Sequence, residues 1–359
     1  MLWQLVGARP HTTRRVYLAV QRDGAPSFLA HQIDAPLLAG LGHPIEAYLT
    51  WQQHAAGVAK LVHGMRRIAM EYSPGCVLPV VARVDAGTVE LFRSLGVEVV
   101  SSSDLIQHTV ANWGAADLAS HQRAVSALEK SFASSCDYVR RSVGLGISEI
   151  DVASQLRADF EGRGFETEHG PIVAANEHSG DPHFEPSASS RQQLKKGDWL
   201  LFDFWAREQT DDSMYADMTW VAYLGDDVPS PLARAFEAVC SARDRAIDFM
   251  VTSWARGVPL QGWQVDEAAR EVLRLAGYGE FFTHRLGHSL GRQVHASGVN
   301  LDGFETRDTR LLESGACVTV EPGVYLPEFG VRSEVNVVIT GDGPIVTTPI
   351  QREIIRLLG

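Results

Sequence analysis

"HRLGHSLGRQVH", His284–His295, places three histidines within twelve residues and spells G-H-S-L-G at Gly287–Gly291. The second pattern is that of a nucleophile elbow, in which Ser289 attacks the substrate. Such an elbow needs a strand before it, a helix after it, and then an acid and a histidine in that order. His295, six positions past Ser289, is the last histidine in the chain, so no acid-bearing strand and separate histidine loop follow. Gly287 and Gly291 also disfavour a regular helix there. The serine reading fails, and the histidines are left to account for the stretch.

Histidines at i and i+4 suit a metal, but "HRLGH" lacks the glutamate of the H-E-x-x-H motif. The case for a metal comes from carboxylates in unusual places. "DWLLFDFWA" carries Asp203 in an apolar strand, and "MYADMTWVAYL" opens another on Asp217. "ACVTVEPGVYL" ends an apolar strand on Glu321, and "GVRSEVNVVIT" holds Glu334 in an alternating one. A single acid of this kind reads as a strand end facing water. Four together do not, because an unpaired carboxylate in a low-dielectric interior costs several kcal/mol and like charges add to it. No lysine or arginine cluster accompanies these strands, and two divalent cations supply a matching charge. Thirteen residues separate Asp203 from Asp217 and twelve separate Glu321 from Glu334, so each pair is expected to face across a hairpin. Period two puts Thr219 on the face of Asp217, and Arg332 and Asn336 on that of Glu334. With His288 added, the donor set is oxygen-rich with one imidazole, which suits Mn²⁺, Co²⁺ or Fe²⁺. Two ions about 3.5–4 Å apart can hold a bridging hydroxide as nucleophile.

The rest of the chain sets the frame. Its 359 residues suffice for two domains, and 45% hydrophobic with 21% charged residues is ordinary for a globular protein. A net charge of -12 argues against nucleic acid or an anionic membrane as partner. Cys76, Cys136, Cys240 and Cys317 lie far apart, which fits a reducing cytoplasm and excludes thiolate metal motifs. No apolar run is long enough to span a membrane, and "MLWQLVGARPHTTRR" does not read as a signal peptide.

Residues 1–115 alternate β-rich runs ("RRVYLAV", "CVLPVVARV", "GVEVVSS") with a stretch read as one or two helices, "IEAYLTWQQHAAGVAKLVHGMRRIAM". This predicts a small α/β domain. A long amphipathic helix from about Leu118 to Arg141 opens a second domain, residues 117–359. There "ISEIDVASQLRADFEGRGFE", with Ser148 three before Asp151, and "LQGWQVDEAAREVLRLAGYGE" have similar form. The second domain therefore looks like a weak duplication of helices plus hairpins, of α+β class.

In the order "FDFW", "YADMT", "HRLGHSLGRQVH", "EPGVY" and "GVRSE", residues 117–359 resemble the "pita-bread" metallopeptidases of the methionine aminopeptidase, aminopeptidase P and prolidase group. The resemblance implies an α+β pita-bread catalytic domain behind a smaller creatinase-like α/β domain, and dinuclear ligands at Asp203, Asp217, His288, Glu321 and Glu334. "DPHFEP" matches the segment that supplies His183. This histidine and His295 are implied to stabilise the tetrahedral intermediate and handle protons, with Glu321 as ligand and proton shuttle. His284 matches a pocket-lining histidine, His178 stands where asparagine is common, and Arg332 matches an arginine that holds a substrate carboxylate. A second expectation for Arg332 is an ion pair with Glu334. The two-domain layout points to an Xaa-Pro dipeptidase: a cytoplasmic homodimer acting on short proline-containing peptides with Mn²⁺ or Co²⁺, with Zn²⁺ or Fe²⁺ as alternatives. Aminopeptidase P, a carboxypeptidase-like relative and a non-catalytic binding module are the competing readings. The Asp203–Asp217 hairpin is longer than usual, which makes Asp211 and Asp212 rival ligands. Trp220 and Ala296 also depart from the family pattern.

Overall fold

The computed structural model describes residues 10–22, 26–187, 189 and 191–358. Residues 1–9, the start of the stretch expected not to be a signal peptide, lie outside this set. The chain forms two compact units, Met1–Val110 and Ala111–Gly359. The division precedes the expected boundary near residue 115 because Trp113 already belongs to the second unit. Its backbone N–H donates to the Gly315 carbonyl at 2.8 Å, and its indole packs in a cluster with Met214, Tyr215 and Leu290.

The first unit runs β1 (Val16–Ala19), β2 (Ser27–His31), α1 (Ala35–Leu38), β3 (Ile45–Tyr48), α2 (Trp51–Leu61), β4 (Arg67–Met70), α3 (Ala86–Ser94), β5 (Glu98–Ser101) and α4 (Ser103–Thr109). Strands β1–β2–β3 form one sheet and β4–β5 another, with β2·β3 and β4·β5 parallel. Two sequence expectations change here. Residues 45–70, read as helix, are strand–helix–strand, with α2 starting where Thr50 Oγ1 accepts from Gln53 N–H and Gln53 Oε1 accepts from Thr50 N–H. "CVLPVVARV", read as a strand, belongs to two single 3₁₀ turns at Pro74–Cys76 and Pro79–Val81. Each begins on a proline, which has no N–H to give a ladder.

The second unit holds two paired helices on each of two sheets. Helices α5 (Ala115–Ser142) and α6 (Glu149–Gly162) precede β6 (Phe165–Glu166), β7 (Ile172–Ala175), β8 (Trp199–Glu208) and β9 (Ala216–Tyr223). Then come α7 (Ser230–Ala255), α8 (Gly262–Leu275), β10 (Cys317–Val320), β11 (Gly323–Tyr325), β12 (Gly330–Arg332), β13 (Val335–Thr340), β14 (Gly343–Val346) and β15 (Ile355–Arg356). The capping residues read from sequence start α6: Asp151 Oδ2 accepts from Ser148 N–H at 2.7 Å. One sheet runs β15–β9–β8–β6 with β7 also on β8, and another runs β10–β13–β14.

Alternation in β8 decides where the chemistry lies. Leu200, Phe202, Phe204 and Ala206 bury against α5 and α6, with Phe132 stacked on Phe204 at 5.4 Å between ring centroids. Period two then turns Leu201, Asp203 and Trp205 to the opposite face. In β9 the same rule sends Met218 and Trp220 to the helices, where Trp220 meets Phe132 edge-on, and Asp217 and Thr219 to the other face. Trp220 is thus a packing residue.

Candidate metal centre and active-site cleft

Strand register assembles the acids. Asp203 opposes Thr219 and Trp205 opposes Asp217 across β8·β9, so the two aspartates are diagonal neighbours rather than a facing pair. Val320 opposes Val335 in β10·β13, and one step beyond the strand ends Glu321 and Glu334 stand opposite. His288 arrives on an irregular segment bridged to the rest at Gly287↔Leu301 and Ser289↔Val318. Gly287 is required there, because a side chain would run into the Thr319 carbonyl. Ser289 is buried, and its Oγ accepts from Gly298 N–H at 3.1 Å, a structural role.

The five expected ligands meet in one cavity of about 600 Å³. Asp217, His288 and Glu334 each offer a donor atom, all within 4.8 Å of one another. His288 Nε2 lies 3.4 Å from Glu321 Oε1 and 3.6 Å from Asp217 Oδ2. Its Nδ1 donates to the Ser289 carbonyl at 3.1 Å, and this leaves Nε2 as a bare lone pair. Burial first, and then neighbouring His295, hold His288 well below the usual histidine range, so it is neutral and no ion pair forms with the acids. Asp217 and Glu334 are pushed well above the usual carboxylate range, chiefly by burial, and then by Asp203 and Glu321 for Asp217 and by Asp217 and Glu321 for Glu334. Glu321 is pushed up to about 7, mainly by burial.

Two buried carboxylate oxygens, Asp217 Oδ1 and Glu334 Oε1, have no hydrogen-bond partner among the described residues. Unpartnered carboxylate oxygens on acids clustered with a bare imidazole nitrogen leave lone pairs unmet, an arrangement that a cation completes. The donor set therefore fits the metal that the sequence implied.

Supporting groups fix the donors. Thr219 Oγ1 sits between Asp203 Oδ1 (3.0 Å) and Glu334 Oε2 (2.8 Å). Thr319 Oγ1 donates to Glu321 Oε1 at 3.1 Å. Asn336 clasps the Asp217 backbone through both ends of its amide. Arg332 does not pair with Glu334. Its buried guanidinium meets Asp203 Oδ2 at 2.6 Å and donates to Thr219 Oγ1 and the Tyr325 hydroxyl. These partners engage three of the guanidinium's five N–H groups, and Arg332 also lines the cavity. One of the four acids thus has an arginine counter-charge, which the sequence reading had not found because Arg332 comes from a separate hairpin, β11–β12.

The remaining expected residues divide. His183, His284 and His295 line the cavity. The His295 ring meets that of His288 edge-on at 4.4 Å. His284 bridges the Arg285 carbonyl and the Tyr325 hydroxyl, each at 2.7 Å, and burial then Arg332 hold it down to about 3. His178 lies outside the cavity lining. It stacks on Phe184 at 4.2 Å and meets the buried Glu149 at 3.0 Å, so it braces the segment that carries His183. Asp211 and Asp212 are exposed, the latter paired with Arg292 at 3.3 Å, and do not compete as ligands. Ala296 is half-buried and outside the lining. Tyr325 and Thr319 were missed. Each lies within four residues of Glu321, and Thr319 shares its face by period two, a signal the sequence did carry.

A cleft of clustered acids and one imidazole between two helix-backed sheets is the hallmark of a metallohydrolase, and comparison with known proteins agrees. The profile of Metallopeptidase family M24 matches residues 114–341, so the chain belongs to that family and has its pita-bread fold. Over 214 residues it is 33% identical to the "Putative dipeptidase YkvY" of Bacillus subtilis, a match covering 59% of this chain and 54% of that protein. The chain thus spans about half the length of the curated relative. Among solved structures, the dipeptidase of Pyrococcus horikoshii is similar with a TM-score of 0.70 and 26% identity, covering 99% of this chain and 93% of that one. Dipeptidase PepE from Mycobacterium ulcerans superposes with a TM-score of 0.74 at 24% identity, covering 95% and 86%, a likeness of fold. Among the described residues, no helix is long and apolar enough to cross a membrane.

Proposed function

We propose that the chain is a dipeptidase hydrolysing Xaa-Pro dipeptides with two divalent cations held by Asp203, Asp217, His288, Glu321 and Glu334. The observation that carries this is the cluster of Asp217, His288 and Glu334, whose donor atoms lie within 4.8 Å of one another, with an unpartnered oxygen on each of the two acids. Four carboxylates and one imidazole suit Mn²⁺, Co²⁺ or Fe²⁺ better than Zn²⁺, and Mn²⁺ or Co²⁺ is the proposed metal. When bound, such ions supply Lewis acidity to a carbonyl and lower the pKa of water toward neutrality.

The protein's own groups do the rest. Glu321, held through Oε1 by Thr319, takes the proton of the attacking water and delivers it to the leaving nitrogen. His183 and His295, both on the cavity wall, face the negative charge that develops on the carbonyl oxygen. Arg332 holds Asp203 in place and offsets its charge, and His284 orders the Tyr325 hydroxyl beside it. All four cysteines are free, which supports a reducing, cytoplasmic setting. A homodimer is proposed from the family resemblance.

The test is hydrolysis of Ala-Pro and Ala-Pro-Ala after chelation and after Mn²⁺ or Co²⁺ is restored. Metal-restored cleavage of the dipeptide alone supports the proposal, and cleavage of the tripeptide moves the assignment to aminopeptidase P. Cleavage of neither substrate refutes it.

A further inference from the structure

Trp205 is not explained by metal binding. It lies two residues beyond Asp203 on the cavity face of β8 and directly opposite Asp217 in β9. The β7·β8 register pairs Ile172 with Asp203, so two steps on Gly170 falls opposite Trp205. The six-membered ring of the indole occupies the space that a Gly170 side chain would need, a Cβ there falling 2.6 Å from Cη2. Gly170 has φ +65°, a conformation glycine adopts without strain. The absence of a side chain on one strand thus lets the largest side chain on the next lie across it.

The indole is half-buried and lines the cavity together with Ile172, Tyr215 and Val294. Tyr215 is fully buried behind it in the cluster that Trp205 and Val294 pack against. Among the described residues, the indole has no hydrogen-bond partner. Apart from Pro182 and Gln293, the rest of the lining is charged or imidazole-bearing, with His183, His284, Arg285, His295 and Glu305 prominent. A peptide in this cleft therefore meets one apolar, aromatic wall immediately beside Asp203 and Asp217.

We propose that Trp205 is the specificity-determining wall of the site, a shelf on which the prolyl ring next to the scissile bond packs. A saturated five-membered ring presents C–H groups to the electron-rich face of an indole and buries apolar area without needing a hydrogen bond. A small acyclic side chain gains little from the same surface. This rests on the proposed peptidase reading and adds the residue that selects its substrate.

The test compares wild type with Trp205→Ala and Trp205→Phe, each loaded with Mn²⁺, on Ala-Pro and Ala-Ala. The expected result is a tenfold or greater fall in kcat/KM on Ala-Pro for W205A, carried by KM, with Ala-Ala changed less than threefold. W205F should recover most of the loss. Equal losses on both substrates, a loss carried by kcat alone, or no loss overturns the proposal. Equilibrium binding of Ala-Pro, read as quenching of tryptophan fluorescence present in wild type and absent in W205F, separates this from failure of the peptidase reading. Quenching without hydrolysis by any form sustains the shelf and removes the reaction. Absence of both quenching and hydrolysis overturns the shelf as well.

Discussion

Replacing Asp217 with asparagine should stabilise the metal-free protein and abolish its response to metal. Asp217 is 4% exposed, its Oδ1 has no partner, and burial together with Asp203 and Glu321 pushes its carboxyl well above the usual range. An acid whose folded pKa is raised destabilises the fold at any pH above its unfolded value of about 3.9, by about 1.36 kcal/mol per unit of rise. The penalty is absent below about pH 4, where both states are protonated, and reaches its full size once pH exceeds the folded value. For a unit of this size, each kcal/mol is roughly 2–4 °C in Tm. Saturation with Mn²⁺ at a hundredfold excess over Kd should raise wild type by about 2.7 kcal/mol, while D217N, lacking a ligand, should barely move. Thermal unfolding with chelator and with Mn²⁺, at pH 4 and pH 8, reads all four states. If D217N is the less stable form at pH 8 in chelator, or if Mn²⁺ raises both proteins equally, the charge argument is wrong.

Further outcomes follow from neighbouring geometry. Arg332→Met leaves Asp203 without its buried counter-charge and should cost about 3–5 kcal/mol in chelator. That loss should shrink when Mn²⁺ is present, as read in paired denaturant melts. His121 on α5 is buried between the Tyr215 carbonyl and Thr347 Oγ1, with burial lowering its pKa from 6.5 to about 4. A depressed histidine stabilises above its unfolded pKa, and that stability is lost as pH falls from about 6.5 through 4. The 2.5-unit difference is about 3 kcal/mol, and His121→Gln should remove that share of the acid sensitivity in urea melts across this range. Ser289→Ala should leave dipeptide hydrolysis within about twofold, since its hydroxyl only accepts the Gly298 N–H. A loss of about a thousandfold or more in this variant would revive the serine reading.

The legible part of this protein was the conflict between local pattern and polarity. Asp203 among Leu200, Phe202 and Phe204 violates binary patterning, and the violation marks the site because strand alternation turns the acid away from the helices that bury the phenylalanines. The order of the motifs did the same for His288, whose segment has no regular structure to reveal it. What stayed hidden depended on long-range pairing. The counter-ion of Asp203 comes from Arg332, far along the chain, and no local spacing shows that. His178 sits near the expected site in sequence, yet Glu149 at the start of α6 draws it away from the cavity. In the first unit, short strands at Ile45–Tyr48 and Arg67–Met70 were absorbed into a helix reading because each offers only four residues of pattern.

The central claim is that the carboxylates gather because cations hold them. Metal analysis of protein dialysed from manganese-containing buffer tests it most directly. The account requires two ions per chain in wild type, with fewer in variants lacking Asp217 or Glu334. A wild-type chain that returns from dialysis with none, while remaining folded and cleaving Ala-Pro, contradicts it.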